Sequence, residues 1–169
     1  LGMRKKYSID LLHAFDCVFF TGDVNYRIEL PREELFRLVE EKEWFRMQQH
    51  EQLLAERRAR RAFALFNEQD LNFAPTYRLE RHSEQYCRQT KAKLEVQNAP
   101  AWCDRVLWHA NASVTVEPVT YGGVKELQTS DHRPVYALFH VELPLPSHPL
   151  SQPLGSFHLL LYDLKLSIR

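Results

Sequence analysis

Cysteine is scarce in this chain: Cys17, Cys87 and Cys103 are the only three among 169 residues, and their separations match no metal-ligand spacing. An odd number leaves one thiol over, which argues against a disulfide framework and fits a reducing, intracellular compartment. An excess of one charge is also missing, since 22 Lys and Arg balance 22 Asp and Glu. No whole-surface field for polyanions exists, so nucleic acid, phosphate or acidic lipid must be met by a local cluster. Long apolar runs are absent too. Leu1 to Tyr7 carries Arg4, Lys5 and Lys6 without the hydrophobic stretch of a signal peptide or membrane span, so any membrane contact is expected to be peripheral. No internal repeat is visible. What the chain does have, 44% hydrophobic residues with 12% aromatic, suffices for the core of one domain or part of one and excludes disorder as the main state.

Cys17 to Thr21 is a short run of β-formers stopped by Gly22-Asp23, which predicts a buried strand ending at a turn. Pro31, then Glu33 and Glu34, then Leu35, Leu38 and Val39 at helical spacing predict an amphipathic helix to about Lys42. Trp44, Phe45 and Met47 read as core rather than as membrane-inserting residues. A second helix is expected from His50 to Phe66, with Leu53, Leu54 and Ala62 facing inward. Its basic run, Arg57, Arg58, Arg60 and Arg61, is either a solvated face or a face for anionic lipid. Phe73 to Leu79 should be extended, because Pro75 pushes Ala74 out of helical space. Arg81 to Asn98 reads as loop or ragged helix. Strands are expected at Arg105 to His109, Ser113 to Thr120 and Pro134 to Leu143, with Gly122-Gly123 as a turn. Prolines 144, 146, 149 and 153 mark a linker over 144–156, after which 157–169 reads as the start of a further β-rich element. Strands mixed with helices place the chain in the α/β or α+β class.

Three motifs carry chemistry. In Gly22-Asp23-Val24-Asn25-Tyr26-Arg27 a glycine permits a tight turn, Asp23 can take a proton from water, and Asn25 can hold a carboxylate or a phosphoryl oxygen. The same residues also make an ordinary turn. The others are Pro100-Ala101-Trp102-Cys103-Asp104-Arg105 and Ser130-Asp131-His132-Arg133-Pro134. Phosphoester hydrolysis needs a cation or donor on the developing phosphoryl charge, which a His held protonated by a carboxylate supplies; Asp104 could be that carboxylate. Trp102 and Cys103 read as packing, and Arg105 as a partner for a nearby acid.

With GDVNYRI at Gly22 to Ile28, FAPTYR at Phe73 to Arg78, PAWCDRVLW at Pro100 to Trp108 and SDHRPV at Ser130 to Val135, the chain resembles the inositol polyphosphate 5-phosphatases of the DNase I-like endonuclease/exonuclease/phosphatase fold. QLLAERRARRAF and APTYRLER are most similar to the Src-homology-containing branch, which removes the 5-phosphate of phosphatidylinositol 3,4,5-trisphosphate. The resemblance implies the C-terminal portion of a four-layer αββα sandwich over residues 1–143, without the family's N-terminal half and its metal-ligating glutamate. The opening on Leu1 fits a fragment or a processed product.

By resemblance Asp23 is the general base, Asn25 orients water or phosphate, and His132 stabilises the transition state while Asp104 holds its other ring nitrogen. Asp131 shapes the metal and phosphate site. Tyr77 and Arg78 grip the 4-phosphate, and Asn98 and Arg105 complete the substrate-binding set. Asn98 stands where many members have a basic residue, a loss that Lys91 or Lys93 could offset. The implied cofactor is Mg2+, with no ligand assigned in this chain. The implied partners are a phosphoinositide or inositol polyphosphate and, peripherally, the inner membrane surface from the cytoplasm. The alternative is a non-catalytic phosphoinositide-binding or scaffold fragment. A nuclease is disfavoured by Tyr77-Arg78 and by the lack of a basic footprint for nucleic acid. Half of such a sandwich should expose apolar surface.

Overall fold

The computed structural model describes residues 11–89, 98–142 and 160–162. A short helix α1 (Leu11–Ala14) leads into strand β1 (Cys17–Asp23), and three helices follow: α2 (Arg32–Glu40), α3 (Trp44–Gln48) and α4 (Gln52–Arg58). Strands β2 (Asp104–Ala110), β3 (Thr115–Gly123), β4 (Val135–Glu142) and β5 (Leu160–Tyr162) complete the order. β1 pairs with β2, and β3, β4 and β5 form a second sheet in that order. Every named pairing is antiparallel, so of the two classes left open by the sequence the chain is α+β.

Alternation along β2 decides how the sheets meet. Val106 and Trp108 project from one face and, with Phe19 of β1, pack against Val135, Ala137 and Phe139 of β4. The Phe139 ring lies 4.9 Å from Phe19 and 5.1 Å from Trp108, so aromatic edges fill the space between the sheets. A separate cluster forms where α2 and α3 bury Leu35, Leu38 and Met47 against Ile28, Leu71 and Trp102.

Several expectations shift for physical reasons. The second helix stops at Arg58: Arg60 and Phe63 take left-handed backbone, and the Arg57 guanidinium reaches back to the Phe66 carbonyl at 2.8 Å and to Glu68 at 3.0 Å. Tertiary ion pairing thus wins over local periodicity. Of the basic run, Arg57 is a brace, Arg61 pairs with Glu56 at 2.7 Å, and Arg58 and Arg60 are exposed. Phe45 is corrected from core to surface. It is 74% exposed, because in a five-residue helix it projects away from the face that buries Met47 and turns Trp44 edge-on to Trp102. Gly122 and Gly123 lie inside β3 rather than in a turn after it, paired with Tyr136 and Val135. The Tyr136 ring covers Gly122 so closely that a Cβ would sit 3.1 Å from its hydroxyl.

Of the expected linker and following element, only Leu160–Tyr162 is described, and it hydrogen-bonds to β4 as part of the same sheet. The linker itself and Lys91 and Lys93 lie outside the described residues. No helix among the described residues is long and apolar enough to cross a membrane. Phe15, Phe20 and Leu65 are among the exposed large apolar side chains.

Candidate active site

Four backbone contacts draw the motifs to one end of the sandwich. Val24 N–H donates to the Cys103 carbonyl at 2.8 Å, and Tyr77 and Ala101 exchange a pair of hydrogen bonds at 3.1 and 2.8 Å. Arg133 N–H donates to the Thr76 carbonyl at 2.8 Å, and Leu79 N–H to that of Asp131 at 2.9 Å. The antiparallel register sets Asp23, the last residue of β1, opposite Asp104, the first of β2. Directly opposed residues share a face. Both carboxylates therefore stand on the face that carries Phe19, Val106 and Trp108, at the rim of the inter-sheet core. Gly22 takes φ 135 and Asn25 φ 58, the left-handed region that glycine and asparagine tolerate best. The turn expected at Gly22-Asp23 is replaced by the end of β1, because both residues stay paired with Arg105 and Asp104 of β2.

His132, just ahead of β4, donates from Nδ1 to Asp104 Oδ2 at 2.8 Å, and Thr76 Oγ1 donates to the same oxygen at 2.9 Å. A carboxylate oxygen brings no proton, so the ring nitrogen facing it must carry one. That leaves Nε2 for a ligand. Burial pulls His132 toward its neutral form, but the hydrogen bond it donates to Asp104 and the charges of Asp104, Asp23 and Asp131 outweigh it and hold its pKa above the ordinary histidine value. The Tyr77 ring lies 4.6 Å from the His132 ring and fixes its tilt. Asp23, Asp104 and His132 each place a ligand-type atom within 4.8 Å of the others.

Tyr77 O–H donates to Asn98 Oδ1 at 3.3 Å, and Arg78 pairs with Asp131 at 3.3 Å, each about one-third exposed. Asn25 joins through Arg27, which donates to Asn25 Oδ1 and stacks 4.6 Å from the centre of the Tyr77 ring. Arg27 and Thr76 are not singled out by the sequence, although both lie inside its motifs; a cation in one motif and an aromatic, Tyr77, in another are the available signal for the Arg27 contact. Trp102 and Cys103 are packing residues, as expected. Burial pushes the Cys103 thiol up to about 12, which removes it as a nucleophile.

Arg105 is a correction. One residue after Asp104, it projects from the opposite face of β2 and is wholly buried between Glu51 at 3.0 Å and Glu68 at 2.6 Å. It cannot meet a substrate phosphate. Its place among acids is the pairing that the residue itself suggested.

The cluster does not by itself fit magnesium. A hard dication of that size asks for a near-octahedral shell of oxygens. Asp104 Oδ2 already accepts from His132 and Thr76, and His132 Nδ1 is spent on that bond. Two of the three donors are thus committed to each other.

The model of the endonuclease/exonuclease/phosphatase family 2 matches residues 2–138. The chain belongs to the endonuclease/exonuclease/phosphatase family. Among its relatives, human phosphatidylinositol 3,4,5-trisphosphate 5-phosphatase 1 is 39% identical over 144 residues, covering 82% of this chain and 12% of that protein. Human phosphatidylinositol 3,4,5-trisphosphate 5-phosphatase 2 is 34% identical over 143 residues, 83% of this chain and 11% of that protein. The chain therefore spans about an eighth of the length of the first of these relatives. The inositol polyphosphate 5-phosphatase domain of spSynaptojanin, solved in complex with inositol (1,4)-bisphosphate and calcium ion, aligns with a TM-score of 0.64 at 31% identity, covering 76% of this chain and 36% of that one. Cimex nitrophorin, solved as a ferrous NO complex, matches with the same TM-score of 0.64 at 26% identity, over 73% of this chain and 41% of that one. Within this family the fold alone does not settle the chemistry, and the side chains of the site must.

Proposed function

We propose that this chain is part of a phosphoinositide 5-phosphatase, a phosphoric monoester hydrolase that acts on phosphatidylinositol 3,4,5-trisphosphate. The observation that carries the reading is the His132–Asp104 pair at 2.8 Å with Asp23 beside it, a proton donor and a carboxylate base within 4.8 Å. Asp23 takes a proton from the attacking water as its oxygen bonds to phosphorus. The bond from phosphorus to the inositol oxygen breaks, and that oxygen leaves with the electron pair and takes up a proton from solvent water. His132 Nε2 holds the developing charge on the phosphoryl oxygens, kept protonated by Asp104 and aligned by Tyr77. Asn25 orients the water or the phosphate, and Asp131 orders the loop through Arg78. Tyr77 and Arg78 grip the neighbouring 4-phosphate, with Asn98 beneath Tyr77.

The reading includes a divalent cation, Mg2+, whose oxygen shell requires residues beyond this cluster. It places the protein in the cytoplasm, peripherally at the inner membrane surface, with no nucleic-acid partner. A second reading, a phosphoinositide-binding or scaffold fragment without turnover, is favoured by the incomplete oxygen shell among the described residues. The test is phosphate release from phosphatidylinositol 3,4,5-trisphosphate with Mg2+ and with chelator, using this chain and a longer polypeptide carrying the rest of the domain. Mg2+-dependent release by the longer polypeptide is the expected result. Silence from both, with lipid binding intact, overturns the enzyme in favour of the binding reading.

A further inference from the structure

Beside the catalytic cluster, with Thr76 in its lining, is a cavity of about 390 Å³, within the size range of small-molecule sites. Its walls are mainly apolar, from Phe73, Pro75, Leu79 and Tyr86, and it runs beneath Gly123, where a side chain is missing. Tyr86 spends its hydroxyl on the Pro75 carbonyl at 2.6 Å, so it presents its ring rather than a polar group. The charges lining the cavity are Lys42, Lys125 and Arg133 against the single acid Glu84. The Arg133 guanidinium is already engaged by the carbonyls of Ser130, Glu80 and Ser83, which makes it part of the frame. Lys42 and Lys125 remain as the cations available to a guest. Thr76 is shared between the two sites, lining this cavity while its hydroxyl holds Asp104.

We propose that this cavity is a binding site for a small apolar acid, a compact aromatic or aliphatic body bearing one carboxylate. The body fills the Phe73–Leu79–Tyr86 wall, and the carboxylate lies between Lys42 and Lys125. A monoanion fits better than a phosphate, because a mainly apolar cavity with two flexible point charges repays the desolvation of one charge more readily than of two. A guest seated there rests one side chain away from Asp104. Its binding does not depend on turnover by the neighbouring cluster.

The test is titration of the full chain with 1-naphthoate, followed by amide chemical shifts, beside its neutral counterpart 1-naphthalenemethanol. Saturable binding is expected, with shifts centred on Thr76, Leu79 and Gly123 and with the neutral compound weaker. The double variant Lys42→Gln/Lys125→Gln alters exposed side chains and should keep the fold while weakening naphthoate by about tenfold, the size of one modest charge-assisted contact. Gly123→Ala gives a second arm. Its Cβ would rest 3.4 Å from Phe73 and 3.7 Å from Thr76, ordinary contact distances, so it narrows the cavity without forcing the walls apart. It should weaken both compounds alike. Absence of binding by the folded wild-type chain, shifts centred elsewhere, or affinity indifferent to both lysines overturns the proposal.

Discussion

Asp104 and Arg105 are consecutive residues on one strand, and each is the centre of a charged cluster, yet the two clusters have opposite fates. Asp104 faces the rim of the inter-sheet core, where its partners His132 and Thr76 are one half-buried and one buried and the ring keeps a nitrogen for a ligand. Arg105 faces the other way into a closed ring of Glu51 and Glu68, with no exposed surface. Glu51 also accepts from Leu53 N–H at 3.2 Å and Leu54 N–H at 2.7 Å, capping α4, and Glu68 is held by Arg57. The first cluster has hydrogen-bonding capacity left over; in the second, every charge is matched by another within the protein. Capacity left over at an accessible rim marks chemistry. Mutual pairing in the interior marks architecture, and breaking it leaves an uncompensated charge.

The sharpest way to break the contrast is to compare turnover with stability on the two faces. In a longer, active polypeptide, Asp23→Ala should lower turnover by about 10²–10⁴-fold, the usual contribution of a positioned general base, while substrate binding stays near wild type. Turnover close to wild type would remove Asp23 from its role. Arg105→Leu strands Glu51 and Glu68 without their cation and should cost about 3–5 kcal/mol by denaturant unfolding. An Arg105→Leu protein of wild-type stability would mean that the buried ring is not structural.

A pH titration sharpens the comparison further. The folded pKa of His132 lies above its unfolded value, so its contribution to stability is fully present below the ordinary histidine value and is lost as pH rises through the raised one. Turnover that requires the protonated ring should fall over the same interval, and Asp104→Asn should move that fall to lower pH. An unmoved profile in Asp104→Asn would separate the two residues. The smallest effect belongs to the exposed Arg61–Glu56 pair: Arg61→Ala should leave the thermal midpoint unchanged, because solvent screens such pairs.

Much of this was legible in the residues. The strand over Cys17 to Thr21, the helix from Pro31 and the strand of Pro134 to Leu143 all announce themselves by composition and periodicity, since those signals are local, although the first runs on through Gly22 and Asp23. The end of the second helix did not, because Arg57 is drawn to Glu68, and a distant ion pair leaves no mark on helical spacing. Phe45 failed for a similar reason: its neighbours are apolar, and only the packing of a one-turn helix shows which way it faces.

By itself the sequence determined which residue types are available, in what order, and which short segments favour strand or helix, because propensity and periodicity act between near neighbours. It also carried the motifs that tie the chain to its family. Only the tertiary structure decided that Asp104 and Arg105 serve different ends, that Arg27 braces Tyr77, and that Thr76 and His132 share one carboxylate oxygen. Those outcomes depend on strand register and on which face of a sheet is covered, and both are set by contacts between residues far apart in the chain.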